Sequence, residues 1–339
     1  MSEIMNRQIQ MASRPVGKPA PKDFCLVERK IPDVAEDHLL VRNRFLSLDP
    51  YMRGRMSPAK SYAKPVEVGE VITGGTVGQV TKSRHPEFVE GDLVVANGGW
   101  QEYSVVNGAE CKKVNPSWPS PSLALGVLGM PGVTAYTGMK NIGKPVAGDT
   151  VVVAAASGAV GSVVGQIAKI RGARAVGIAG TIEKCRFVID ELGFADCLMH
   201  KEPDFPEKLK EACPDKIDVY FENVGGKVFE TVAPLLNNFA RIPVCGLIAH
   251  YNDTQLPEGP NTVPLILRDI LVKRLTYRGF IVWDFAAQEQ EALESLAGWI
   301  EEGKLKYRED VVDGLENAPE AFMGLLQGKN FGKLIVRLG

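Results

Sequence analysis

From residue 150 the chain carries a continuous apolar, β-branched run, TVVVAAA, with no polar alternation. That is the pattern of a parallel strand covered on both faces. A glycine turn follows, Ala156-Ser157-Gly158-Ala159-Val160-Gly161, and then Val160, Val163, Val164, Ile167 and Ile170 recur at helical spacing. Residues 174–179 predict a second strand. The same alternation then predicts a helix to about Leu192, a strand near 196–198, a helix over 205–212 and a strand over 217–221. Next come a helix over 228–236, a strand over 240–245, and a loop rich in Pro and Gly. Residues 284–302 are amphipathic, with Leu293, Leu296, Trp299 and Ile300 on one face, and predict a helix leading back to the first lobe. The tail predicts a strand at 310–312, a helix opened by Asn317-Ala318-Pro319-Glu320, and a closing strand over 333–338.

Over residues 24–114 the pattern is different. Short β-rich runs, LLVRNRFLSL, GEVITGGTVGQV, GDLVVANGGW and QEYSVV, are punctuated by glycine and proline and predict an all-β barrel. Gly74, Gly75 and Gly78 mark bends or bulges. The proline-rich stretch 116–121 reads as a boundary, after which 123–128 starts a more helical lobe. The expected fold is thus α/β with two lobes. A β-barrel domain over 1–128 is followed by a doubly wound parallel sheet over 129–300, and 301–339 returns to the first domain. A chain of 339 residues exceeds what one hydrophobic core usually serves.

Composition narrows the function by exclusion. The balance of 39 basic to 41 acidic residues offers no field for nucleic acid or an anionic membrane. No apolar run approaches spanning length, and residues 1–12 lack the core of a secretory signal, so a cytoplasmic protein is expected. The six cysteines (25, 111, 185, 197, 213, 245) stand at no metal-ligand spacing, and the four histidines form no ligand motif. No metal is expected.

The turn at 156–161 is an A-x-G-x-x-G form of the dinucleotide fingerprint. Gly158 lets backbone approach a pyrophosphate, Gly161 lets helix pack on strand, and the helix N-terminus supplies amides and a positive dipole. The end of the second strand selects the cofactor. It runs into Gly180-Thr181 without the carboxylate that would hold a ribose 2'-hydroxyl, and Lys184 just beyond suits a 2'-phosphate, which favours NADPH. Glu183 either caps the following helix or meets the ribose. Strand carboxyl ends bind ligands in such sheets, which places Asn223 and the segment starting at Cys245 beside the cofactor. The loop 251–264 is expected to shape the substrate pocket.

These segments, together with LSLDPYMRGRM (46–56), LGVLGMPGVTAYTG (125–138), ENVGG, ARIPVCGL and GLENAP…GLLQGKNFGK, resemble the zinc-independent medium-chain dehydrogenase/reductases. The branch indicated is that of prostaglandin reductase (leukotriene B4 12-hydroxydehydrogenase) and the bacterial NADPH-dependent curcumin reductases. The resemblance implies a GroES-like catalytic domain interrupted by a Rossmann domain, and the absence of a catalytic metal. Where zinc-dependent relatives have their ligands, this chain reads Leu48-Asp49-Pro50-Tyr51 and Gly69-Glu70-Val71. It further implies that Gly158, Ala159, Val160 and Gly161 hold the pyrophosphate and Lys184 the 2'-phosphate. Asn223, Met130, Thr134 and Asn330 would lie along the cofactor. His200 stands where prostaglandin reductase has a tyrosine, and is open between a phosphate contact and a plain surface histidine.

The implied reaction is hydride addition to the β-carbon of an α,β-unsaturated ketone or aldehyde, leaving an enolate that needs donors and a proton. Tyr251, Tyr51 and Tyr62 are the candidates, since a phenol stays protonated at neutral pH and tolerates an apolar pocket. The alternatives are a quinone oxidoreductase and an NADPH-binding protein without turnover. A homodimer is expected, paired through the apolar strand 275–282 at a sheet edge.

Overall fold

The computed structural model describes residues 5–255 and 259–339, so positions 256–258 of the expected pocket loop lie outside the described residues. The chain forms two compact units, Met1–Gly126 with Glu309–Gly339, and Val127–Arg308. In the first, β1 (Met5–Met11) and β2 (Phe24–Lys30) make an antiparallel ribbon. Then come β3 (His38–Ser47), the short helix α1 (Tyr51–Arg55), β4 (Thr76–Ser83), β5 (Leu93–Ala96), β6 (Tyr103–Asn107) and β7 (Lys112–Lys113). β3 pairs antiparallel with both β4 and β6. Asn43 faces Gly78 while Phe45 faces Val77, so Arg44 is an extra residue and the strand bulges. Gly78 is the reason the bulge closes tightly: a Cβ there would lie 2.5 Å from Val41 Cγ1 and 2.6 Å from the Arg42 carbonyl.

The second unit opens with α2 (Met130–Gly138) and continues β8 (Thr150–Ala154), α3 (Gly161–Ile170), β9 (Arg174–Ala179), α4 (Ile182–Arg186), β10 (Asp196–Met199), α5 (Phe205–Ala212) and β11 (Ile217–Phe221). It ends with α6 (Gly226–Val232), β12 (Leu236–Val244), α7 (Val263–Lys273), β13 (Thr276–Gly279) and α8 (Glu289–Glu301). Its strands form one parallel sheet in the order β10-β9-β8-β11-β12-β13. The order reverses between β8 and β11, and the crevice at such a reversal is where open parallel sheets take ligands. Every residue of β8 is buried, as a run without alternation requires. After α8 the segment to Arg308 stays with this unit, where Gln166 both accepts from the Lys306 amide (2.8 Å) and donates to its carbonyl (2.8 Å).

The chain then returns to the first unit through β14 (Glu309–Asp313), α9 (Ala318–Leu325) and β15 (Lys333–Arg337). β15 pairs antiparallel with β3, and completes a seven-stranded sheet. Phe322 of α9 meets the fully buried Trp100 edge to face at 5.5 Å, so the tail supplies part of this unit's core.

Several elements differ from the sequence-based expectation. The first strand of the fingerprint ends at Ala154, not 156, because Ala155 takes a left-handed conformation (φ 53°) that turns the chain. The helix expected over 228–236 ends at Val232, since Pro234 has no amide to continue the ladder, and Leu236 already opens β12. The strand expected over 275–282 is only Thr276–Gly279, although it does lie at a sheet edge. The helical lobe expected from residue 123 begins a few residues later: Pro121–Leu125 is a 3-10 turn in the first unit, and the second unit starts at Val127. Neither β1 nor α7 was expected.

Candidate cofactor and catalytic residues

In the second unit the candidate residues gather at the carboxyl ends of neighbouring strands. After β8 the chain turns tightly: the Gly158 amide donates to the Ala155 carbonyl (2.9 Å), and the Ser162 amide donates to the Gly158 carbonyl (3.0 Å). A Cβ at Gly161 would lie 2.3 Å from that Ala155 oxygen, so only glycine lets α3 begin this close to the strand. The amides of Ala159, Val160 and Gly161 precede the first intrahelical bonds and form the N-terminal mouth of α3, the place where a helix receives an anion. A dinucleotide pyrophosphate fits this cradle.

At the end of β9, the Thr181 hydroxyl caps α4 by accepting from the Lys184 amide (3.4 Å). Glu183 lies below the usual carboxylate range because its own amide and the Thr181 hydroxyl hold its carboxylate. The N-cap is Thr181, and Glu183 follows it in the first turn of α4. Lys184 is buried in the first turn of α4. His200 sits half-buried beside Gly180, its Nε2 3.7 Å from where a Cβ at Gly180 would be, and burial followed by the charge of Lys201 lowers its pKa.

Beyond β11, Asn223 donates from Nδ2 to the Ala154 carbonyl (2.8 Å), which ties the strand ends of the crevice together. Cys245 follows β12, and burial, then the Glu222 carboxylate, push its thiol up to about 12, so it is an inert thiol at neutral pH. The Tyr251 hydroxyl accepts from the Leu247 amide (3.4 Å) and lies 3.1 Å from where a Cβ at Gly246 would be. In α2, Thr134 is buried and its hydroxyl donates to the Met130 carbonyl (2.7 Å), while Met130 is exposed.

The first unit holds the other candidates. Tyr51 opens α1 and Tyr62 is exposed in the loop beyond it. The Arg55 guanidinium stands over both rings, 5.8 Å from Tyr51 and 5.0 Å from Tyr62, so a cation links the two phenols. Burial, then the Asp49 carboxylate, raise the Tyr51 pKa well above that of a free phenol. Asp49 is itself held by Lys333 (2.9 Å), and both are buried. Lys333 also donates to the Leu48 carbonyl (2.8 Å), which pins the segment that carries Tyr51. Asn330 donates to the Gly332 carbonyl (2.9 Å) in the turn before β15. Pattern reading singled out neither Arg55 nor the Asp49–Lys333 pair, although Arg55 follows Tyr51 by one helical turn.

Residues 7–114 match a family model described as the N-terminal domain of oxidoreductase, and 159–298 match one described as zinc-binding dehydrogenase. The chain is 51% identical over 334 residues to the NADPH-dependent curcumin reductase of Escherichia coli, covering 98% of this chain and 97% of that one. The chain belongs to the medium-chain dehydrogenase/reductase family. Prostaglandin reductase 1 of Bos taurus is 41% identical, with 95% and 96% of the two chains covered. The crystal structure of CurA from Vibrio vulnificus in complex with NADPH superposes with a TM-score of 0.95 at 54% identity, covering 98% of this chain and 99% of that one. The family's two parts correspond to the two units described above, a GroES-like domain and a Rossmann domain. Among the described residues, no three His, Cys, Asp or Glu side chains are gathered as metal ligands.

Proposed function

We propose that this protein is a cytoplasmic NADPH-dependent reductase of the carbon-carbon double bond of α,β-unsaturated ketones and aldehydes. The observation that carries this is the cradle at the end of β8. There a turn in which Gly158 and Gly161 lack a Cβ, and the open amides of α3, stand beside Asn223 at the sheet's reversal, with no carboxylate at the end of β9. The family membership agrees with it, through relatives named for NADPH-dependent reduction.

When bound, NADPH supplies the hydride for the β-carbon. The chain's part is to bind, orient and stabilise charge. Residues 158–161 receive the pyrophosphate, Lys184 the 2'-phosphate, and Met130, Thr134, Asn223, Cys245 and Asn330 line the rest of the cofactor. Negative charge grows on the substrate's carbonyl oxygen as its β-carbon is reduced, and a fixed phenolic donor lowers that barrier. Tyr251 is the first candidate. Tyr51 is the second, and its raised pKa makes it a persistent hydrogen-bond donor and a poor proton source, so solvent suits the proton at the α-carbon better. Tyr62 is a third, joined to Tyr51 through Arg55. The nearness of His200 to Gly180 supports its contact with the cofactor's phosphate end.

The test is NADPH oxidation against a panel of enones, enals, quinones and saturated ketones, with products identified. Saturated ketones and aldehydes labelled at the β-carbon by deuterated NADPH are expected. Turnover confined to quinones, with hydroquinone as product, would instead support a quinone oxidoreductase, and binding without any turnover would end the enzymatic reading.

We also propose a homodimer formed through the second unit. β13 is an edge strand, and α7 beside it buries no residue fully while Leu265, Leu267, Leu271 and Val272 are exposed. Pairing across a two-fold axis would cover both.

A further inference from the structure

β11 ends on a residue that its surroundings do not lead one to expect. Glu222 is 1% exposed and follows the apolar strand IDVYF. Burying a carboxylate is costly, and an apolar side chain of similar size would fill the space, so packing alone does not account for it. Its hydrogen bonds do. Oε1 accepts from the amides of Val224 (2.6 Å) and Gly225 (2.8 Å). The backbone of the same residue accepts from the amides of Cys245 (2.9 Å) and Gly246 (3.1 Å), and its own amide donates to the Pro243 carbonyl (3.0 Å).

The two loops that Glu222 grips are laced to each other. The Ile248 amide donates to the Asn223 carbonyl (3.3 Å), and the Ala249 amide donates to the Val224 carbonyl (2.9 Å). Gly225 and Gly226 adopt left-handed conformations (φ 78° and 55°), and a Cβ on Gly225 would lie 3.0 Å from His250 Cδ2. A turn of two left-handed glycines is floppy in isolation and needs an acceptor for its amides. Glu222 provides one. On its other side Oε2 is buried and accepts no hydrogen bond of ordinary geometry, and the Tyr220 hydroxyl is likewise buried without one.

We propose that Glu222 is the positioning residue of this crevice: its carboxylate fixes the turn that presents Asn223, and its main chain fixes the loop that presents Tyr251. At 1% exposed it acts through these loops and not by touching substrate or cofactor. The proposal rests on the reading of 223–226 as a cofactor turn, so the experiment includes Asn223→Ala to separate the two.

The measurements are the dissociation constant for NADPH, kcat and KM for an enone, and the thermal midpoint, for Glu222→Gln, Glu222→Asp and Glu222→Leu. Leu removes the acceptor and Asp draws the carboxylate back by one methylene from the two amides it holds, so each should weaken NADPH by about ten-fold and lower kcat. Gln keeps an acceptor oxygen at the same reach and should stay within about three-fold of the parent on both. A merely structural role would lower the thermal midpoint and leave the affinity of the folded protein unchanged. Parental affinity in folded Glu222→Leu overturns the proposal, and where Leu does not fold, parental affinity in Glu222→Asp does so. A Gln variant as impaired as the Leu variant also overturns it. If Asn223→Ala weakens NADPH while the Glu222 variants do not, only the positioning role fails; if none of them does, the cofactor turn itself has been misread.

Discussion

In the proposed reading Lys184 carries the choice between the two nicotinamide cofactors, because β9 runs into Gly180 with no side chain and Lys184 stands in the first turn of α4. Lys184→Ala should raise the KM for NADPH by about ten- to hundred-fold relative to that for NADH, the worth of one charged hydrogen bond. Steady-state kinetics with both cofactors checks this, and equal effects would remove Lys184 from the 2'-phosphate. Tyr251→Phe keeps the ring and loses the hydroxyl. One oxyanion donor is worth about 2.7 to 4 kcal/mol where it acts alone, but Tyr51 can share the load, so a drop in kcat of about ten- to hundred-fold is expected with NADPH affinity kept. Full turnover in both Tyr251→Phe and Tyr51→Phe, with hydride transfer rate-limiting, would sink the phenol mechanism.

Glu222 also has a signature in stability. Burial, opposed by the amides of Val224 and Gly225, raises its pKa above the ordinary 4.5. A carboxyl whose folded pKa is raised binds its proton more readily in the native state, so stability falls as pH rises from about 4.5 through the folded value. Glu222→Gln removes this dependence. Thermal midpoints of parent and variant should therefore diverge in the variant's favour as pH rises through that window, and parallel curves would contradict the assignment.

Among elements, α3 shows most directly how a sequence choice sets packing. Gly165 lies in mid-helix, where alanine would gain about 1 kcal/mol of helix propensity. A Cβ there, however, would come within 1.8 Å of the Phe194 ring, itself buried. Overpacking of this kind costs about 1 to 3 kcal/mol, so the clash wins and Gly165→Ala should lower the thermal midpoint. Adding Phe194→Leu should recover part of the loss, and a double variant no better than the sum of the two would argue against the contact. The 3.6-residue periodicity made α3 and α5 legible from the sequence, since both pack on the same sheet, and β9 was legible as a continuous apolar run. It left α7 unseen. Ile270 packs on the core cluster whereas Leu265, Leu267, Leu271 and Val272 face outward, so no polar face marks the helix.

At the scale of the molecule, that outward apolar face and the open edge of β13 are what support the proposed self-association through the second unit. Light scattering at micromolar concentration should return twice the chain mass, and Leu271→Glu should shift it toward one. A monomeric parent would refute the pairing. The tail's return is a second molecular feature with a physical cause, because β6 covers only His38–Arg42 of β3, so its end at Phe45–Ser47 lacks a partner opposite β4 until β15 arrives and Phe322 closes on Trp100.

The sequence by itself determined the lobe order, the fingerprint turn and the missing carboxylate after β9, because each is written in contiguous residues whose spacing or side-chain absence is the signal. Tyr51, Tyr62, Asn223 and Tyr251 were also within reach, through segments that resemble a family. Only the tertiary structure decided which groups act on these residues. Arg55 over the phenols is a local relation, but Lys333 against Asp49 joins positions 284 apart in the chain. Glu222 is the clearest case. A glutamate after an apolar strand looks like a solvated strand end, and its role appears only once β12 lies beside β11 and buries it, since burial and the direction of neighbouring amides are properties of the packed sheet and not of the pattern along the chain.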